Sequence, residues 1–158
     1  MKKIILLFTF SVFVIGCKPT QQVTSTKVDN KSERVIKGDW TITSVTYPGS
    51  EVIKVTSFGL ADSKCFVGSS WRFVSNNNTG SMALSAVGCD SYSSDITWYI
   101  NKEGRFVMKF LDEELKAKKV KSGYILTVAN QTDTAFQLLD GINVGGKMVN
   151  VVYQFVKK

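Results

Sequence analysis

The sequence has no histidine. That excludes Ser-His-Asp and Cys-His nucleophile systems, histidine-ligated metals, and the commonest acid–base group near neutral pH. No Gly-rich loop leads from a strand into a helix, so a phosphate cradle has nowhere to form. Carboxylates alone could still do acid–base work, and the nearest candidates are Glu113 with Glu114 and Asp90 with Asp95. They sit in polar turns where nothing would raise a pKa, and adjacent carboxylates on a strand or loop point apart. The chain therefore reads as a non-enzyme with no cofactor. Internal repeats and low-complexity tracts are missing from its body. The charge bias is mild too: a formal +7 over 158 residues, two units of which are Lys2 and Lys3. A nucleic-acid reader would concentrate basic residues with interleaved aromatics on one surface. Nucleic acid is not an expected partner, and weak attraction to anionic headgroups is.

What is present begins with a short apolar run, Ile4 to Ile15, after Lys2 and Lys3. It is too short to span a bilayer as a mature helix and has the layout of a secretory signal. It ends in Val14-Ile15-Gly16-Cys17, which resembles a bacterial lipobox. That resemblance implies a signal peptide over residues 1–16, cleavage before Cys17, and acylation of Cys17 on its sulfur and its new amine. Several acyl chains, at about 0.8 kcal/mol per buried CH₂, make such an anchor effectively permanent. Residues 17–37 are rich in Thr, Ser and Gln and poor in large apolar side chains. Such a segment cannot offset its ordering entropy, so it reads as a flexible tether reaching roughly 25 Å. In lipoproteins of Bacteroidetes-type bacteria an acidic stretch after the cysteine resembles a surface-export signal. None follows Cys17, which points to an outer-membrane anchor facing the periplasm.

From residue 38 onward, period-two alternation recurs between Gly/Asn/Asp/Ser turns, the mark of half-buried strands. Trp40-Ile42-Ser44 opens the series. Trp71/Phe73 and Met82/Leu84/Ala86 flank the Asn-rich turn Asn76–Gly80, a hairpin centre that tolerates positive φ. Ile96/Trp98/Ile100 and Phe106/Met108/Phe110 flank Asn101–Gly104 as a second hairpin. Tyr124/Leu126/Val128, Phe136/Leu138 and Val149/Val151/Tyr153/Phe155 complete eight strands, the last two joined by Gly141–Gly146. The charged reversal Asp112–Lys119 reads as a solvated loop. Glu51–Lys64 holds no period although Val52, Ile53, Val55 and Phe58 are apolar; it reads either as a functional loop or as a packed Ω-loop. Eight short strands in up-and-down order satisfy a closed antiparallel barrel, and a two-sheet β-sandwich fits the same periodicity.

The Gly38-Asp39-Trp40 opening, just after a polar leader, resembles the first signature of the lipocalins. It is closest to the short lipocalin-like domains of bacterial lipoproteins. The resemblance covers nearly all of Trp40 to Lys158 and implies an eight-stranded antiparallel barrel over residues 38–158, with Trp40 at its closed end. It also implies that Glu51–Lys64 lids the barrel. Two departures stand out. Lipocalins place an arginine over the signature tryptophan near the chain end, where this chain has only Lys157 and Lys158, and no helix follows the last strand.

Cys65 and Cys89 lie almost evenly about the Asn-rich turn, so hairpin formation would bring them together. In an oxidising envelope compartment an even pair reads as a disulfide, whereas two thiolates without histidine make a poor zinc site. If Trp40 points inward, parity sends Trp71, Phe73, Trp98, Phe106, Met108, Phe110 and Tyr124 into the barrel as candidate ligand-binding residues. Lipocalin-like proteins bind small apolar molecules, so the resemblance implies a membrane-anchored carrier of a small hydrophobic ligand. The alternative is a barrel filled by these same side chains, in an envelope lipoprotein that binds a protein partner. Interior volume separates the two, with a cavity of ~300 Å³ or more expected for a carrier.

Overall fold

The computed structural model of the chain describes residues 30–50, 54–111 and 123–158. The signal segment, Cys17, most of the tether and the Asp112–Lys119 reversal lie outside the described residues. Eight strands close into one antiparallel barrel: β1 (Gly38–Thr46), β4 (Ser70–Val74), β5 (Thr79–Leu84), β6 (Tyr92–Ile100), β7 (Arg105–Phe110), β8 (Tyr124–Ala129), β9 (Ala135–Val144) and β10 (Lys147–Lys157). Neighbours run β1-β10-β9-β8-β7-β6-β5-β4, and β4 pairs back onto β1. Closure leaves no edge strand exposed, which settles barrel over sandwich. A short hairpin, β2 (Thr56–Ser57) and β3 (Ala61–Asp62), and a 3₁₀ turn, Ser63–Phe66, lie between β1 and β4.

The alternation explains the core. Trp40 and Ile42 on β1, Trp71 and Phe73 on β4, Met82 and Leu84 on β5, and Ile96, Trp98 and Ile100 on β6 are all buried. Phe106, Met108, Phe110, Leu126, Phe136, Leu138, Val151, Tyr153 and Phe155 continue the same face around the barrel. One irregularity between Ile42 and Ser44 shifts the β1–β10 register, so Val45 rather than Ser44 faces Tyr153. Extra residues of this kind bend a strand and help a barrel close.

Ala86 falls outside β5, which ends at Leu84, and two larger features also differ from the sequence reading. Asn30–Ile36, expected to be part of the flexible tether, is an α-helix (α1), and its Ile36 is fully buried. A seven-residue helix is marginal alone and forms here because it packs across the barrel end. Its Glu33 is 8 % exposed and accepts hydrogen bonds from the Ile100 backbone N–H at 3.0 Å and from Asn78 Nδ2 at 3.5 Å. The Trp40 indole N–H donates to the Ile36 carbonyl at 2.6 Å, joining helix to barrel. The second difference is the β9–β10 link. Both strands run on until only Gly145 and Gly146 separate them, with φ of +59° and +88°.

Candidate functional site

The barrel has a solid end and a lidded end. At the solid end Trp40 meets Phe136 edge-on at 4.7 Å between ring centres, and Phe136 stacks on Phe155 at 4.5 Å. Phe73 touches Trp98 at 5.3 Å and Phe106 at 5.6 Å, and Trp98 stacks on Phe106 at 5.7 Å. Every indole N–H here is satisfied: Trp98 donates to the Thr79 carbonyl and Trp71 to Ser69 Oγ, both at 2.8 Å. Of the predicted lining residues, Trp40, Phe73, Trp98 and Phe106 form this block. Side chains this close leave the density of a protein interior and no ligand-sized space between them. Trp71 and Met108 are buried on the same inward face, 3 % and 1 % exposed.

Phe110 and Tyr124 belong to the other end, where the chain between β1 and β4 folds over the mouth. Val55, Phe58 and Phe66 of that segment are buried in the core. Phe58 is the centre of the arrangement. Its ring lies 5.2 Å from Phe66, 5.2 Å from Tyr124, 5.4 Å from Tyr153 and 6.0 Å from Phe110. Three tyrosine hydroxyls hold the lid from below. Tyr153 donates to Ser57 Oγ, Tyr124 donates to the Phe58 carbonyl, and Tyr47 shares a hydrogen bond with Ser63 Oγ. The described part of this stretch, from Lys54, covers the mouth and packs on it, which fits both readings of the segment, a lid and a packed Ω-loop.

The turn that delivers Phe58 is strained. Leu60 N–H bonds the Ser57 carbonyl at 3.0 Å, and the two central residues, Phe58 and Gly59, have φ of +53° and +65°. That is the primed turn geometry, which glycine and asparagine adopt easily and a bulky residue does not. Burial of the ring among four others offsets the cost.

A cleft of about 350 Å³ opens beside the lid, between Leu60, Ala61 and Cys65 on one side and Leu84, Cys89 and Tyr92 on the other. The Cys65–Cys89 disulfide crosses it with Cα atoms 5.9 Å apart, as the spacing predicted. It ties the lid's 3₁₀ turn to the β5–β6 loop. Tyr92 touches Phe110 at 6.3 Å, and Phe110 touches Phe58, so the cleft borders the ring cluster directly.

One acidic residue reaches the same mouth, and sequence reading did not select it. Asp140 pairs across β9–β10 with buried Val151, one inward position beyond the Leu138–Tyr153 pair. Burial holds its carboxyl above the ordinary carboxylate range. Burial, and to a lesser degree the charge on Asp140, pushes the Tyr124 hydroxyl up; burial does the same for Tyr153, partly countered by its bond to Ser57. Both phenols therefore stay neutral donors at neutral pH. The signal in the sequence was parity alone: Asp140 follows Phe136 and Leu138 at period two.

A larger, polar groove of about 730 Å³ lies on the outer wall across β1, β4, β5 and β6, among Asp39, Arg72, Ser81, Asp95 and Lys158. Among the described residues no group of three or more acidic or thiol side chains converges for a metal.

A closed eight-stranded up-and-down barrel, with a tryptophan-anchored solid end and a lidded open end, is a lipocalin-type architecture. The family described as "Lipocalin-like domain" matches residues 36–138, more than half of the chain, and the chain belongs to it. Among solved structures, "Odorant Binding Protein OBP1" is similar at 14 % identity, over 80 % of this chain and 73 % of that chain, with a TM-score of 0.45. No curated protein matches the chain.

Proposed function

We propose that this protein is a lipid-anchored envelope lipocalin that takes up a small, largely apolar molecule at the mouth of the barrel, beneath the lid. The observation that carries this reading is Phe58. A lid side chain in strained backbone fills an aromatic space at the mouth, next to a cleft of about 350 Å³. An internal group in that position occupies room that a ligand can take, and strain relief lowers the cost of moving it. The block around Trp40 and Trp98 is full, so the ligand of this reading is compact and sits high in the barrel. Membership of a lipocalin-like family supports a binding role over an enzymatic one. The anchor rests on Val14-Ile15-Gly16-Cys17, with Cys17 acylated and the barrel on the periplasmic side of the outer membrane.

A second reading has its own observation. The solid aromatic block and the polar outer groove together suit a filled barrel that binds an envelope protein through its outer wall. Titrating fatty acids and a hydrophobic fluorophore against the lipid-free wild type and Trp98→Ala separates the two. Saturable uptake by the wild type supports the carrier. Uptake by Trp98→Ala alone would mean that the substitution made the cavity, and the interaction reading would replace it. For the anchor, Cys17→Ala should leave unprocessed precursor or lose membrane association.

A further inference from the structure

Around Phe58 the barrel supplies the faces and edges of Tyr153, Tyr124 and Phe110, and the lid's own 3₁₀ turn supplies Phe66, all within 6.0 Å between ring centres. Rings grouped this way suit two kinds of guest: another apolar ring, or a cation that sits against their negative faces. What decides between them is the charge at the rim. Asp140 faces inward beside Tyr153, and among the described residues no hydrogen bond or ion pair engages its carboxylate. The only ion pair among the described residues, Arg72 with Asp39 at 3.9 Å, lies on the outer wall. Desolvating an inward, half-buried carboxylate is costly, and a bound cation would lower that cost.

We infer that the mouth selects a compact organic amine whose ring or apolar body replaces the Phe58 side chain while its ammonium pairs with Asp140. The inference rests on the ligand-binding reading above and adds the chemical class of the ligand. The phenols of Tyr124 and Tyr153 then have a second use. In the lidded state they donate to the Phe58 carbonyl and to Ser57. With the lid displaced, the lone pairs of the same hydroxyl oxygens can accept from an ammonium. Burial that holds the Asp140 carboxyl above its ordinary range is the desolvation a bound ammonium would offset.

Three probes with one ring system and different end groups test this by calorimetry at pH 7: tryptamine, tryptophol and indole-3-propionate. In Phe58→Ala, where the ring is gone, tryptamine should bind at least tenfold tighter than tryptophol, and indole-3-propionate weakest. Adding Asp140→Asn should erase the preference for tryptamine. If Phe58→Ala does not fold, wild type and Asp140→Asn make the same comparison with the ring in place, at lower affinity. Equal binding of all three probes would overturn the amine assignment and leave an apolar-ligand site standing. Uptake of the hydrophobic fluorophore with none of the three indoles would overturn it as well. Failure of the fluorophore and the indoles together would overturn the ligand-binding reading itself.

Discussion

The Lys157 ammonium lies 5.5 Å from the centre of the Trp40 ring, over the tryptophan that closes the barrel. Trp40 and Lys157 also face each other in the β1–β10 ladder, so the last strand delivers the cation to the ring by register. This is the position where a lipocalin arginine is expected, and lysine fills it. Its Nζ also donates to the Asp133 carbonyl at 3.4 Å, which links the chain end to the β8–β9 loop. Lys157→Met keeps the aliphatic stem and removes the charge. It should cost about 0.5–1 kcal/mol, the range for an exposed cation–π pair. Lys157→Arg should hold or raise the melting temperature. Equal melting temperatures for all three proteins would show that the cation adds nothing.

The disulfide pins the lid rather than the barrel wall. Cys65 lies in the 3₁₀ turn and Cys89 in the β5–β6 loop, with 24 residues of sequence separation. Closing a loop of this length is worth about 3–4 kcal/mol in the chain-entropy model. The Cys65→Ala/Cys89→Ala protein should lose stability on that scale while its barrel strands persist. Thiol titration of the exported protein, denatured without reductant, should find neither Cys65 nor Cys89 free.

Period-two patterning gave away the strands because every barrel strand has one face in a dry core and the other in water, and Trp71, Trp98 and Phe106 read directly as inward. Two parts were hidden for different physical reasons. The helix Asn30–Ile36 has only Val35 and Ile36 to mark an apolar side, and what orders it is contact with strands far along the chain, such as Glu33 with the Ile100 N–H. Gly80 was read as the end of a turn, yet it is within β5, paired with Phe73 and Ile96. A Cβ there would come within 2.2 Å of the Arg72 carbonyl oxygen and 3.1 Å of Ile96 Cγ1. Only the packed barrel reveals that this glycine admits a close approach of backbones. Asp140 was hidden too, because a single carboxylate at the end of an apolar alternation looks like the edge of a strand.

Phe58 offers a test in which the usual order of two substitutions reverses. At an ordinary position glycine is the worse replacement, since it frees the unfolded chain by more than alanine does. At φ +53° the order should invert, because an L-residue there bears roughly 1–2 kcal/mol that glycine does not. Both variants lose the buried ring, so their difference isolates the backbone. Phe58→Gly should therefore unfold at higher denaturant than Phe58→Ala. The opposite order would mean that Phe58 is not held in the left-handed region.

Asp140 should make stability depend on pH in a direction opposite to a salt-bridged carboxylate. Its pKa in the folded protein is raised from the ordinary value of 3.8 by burial. Below that ordinary value the group is protonated in both folded and unfolded states and costs nothing. As pH rises, the unfolded chain releases its proton first, so the folded state is progressively disfavoured. Above the raised folded pKa both states are ionised and the cost stays level. Asp140→Asn removes the titration and keeps the size of the side chain. Its melting temperature minus that of the wild type should therefore be smallest near pH 3, increase as the pH rises above 3.8 and level off once the pH passes the raised folded pKa. Tyr124 and Tyr153, the phenols beside it, remain protonated throughout and cannot mimic this trend. A difference that does not change with pH would show that Asp140 is solvated like any surface carboxylate. A difference that shrinks as pH rises would mean that a positive charge already holds it.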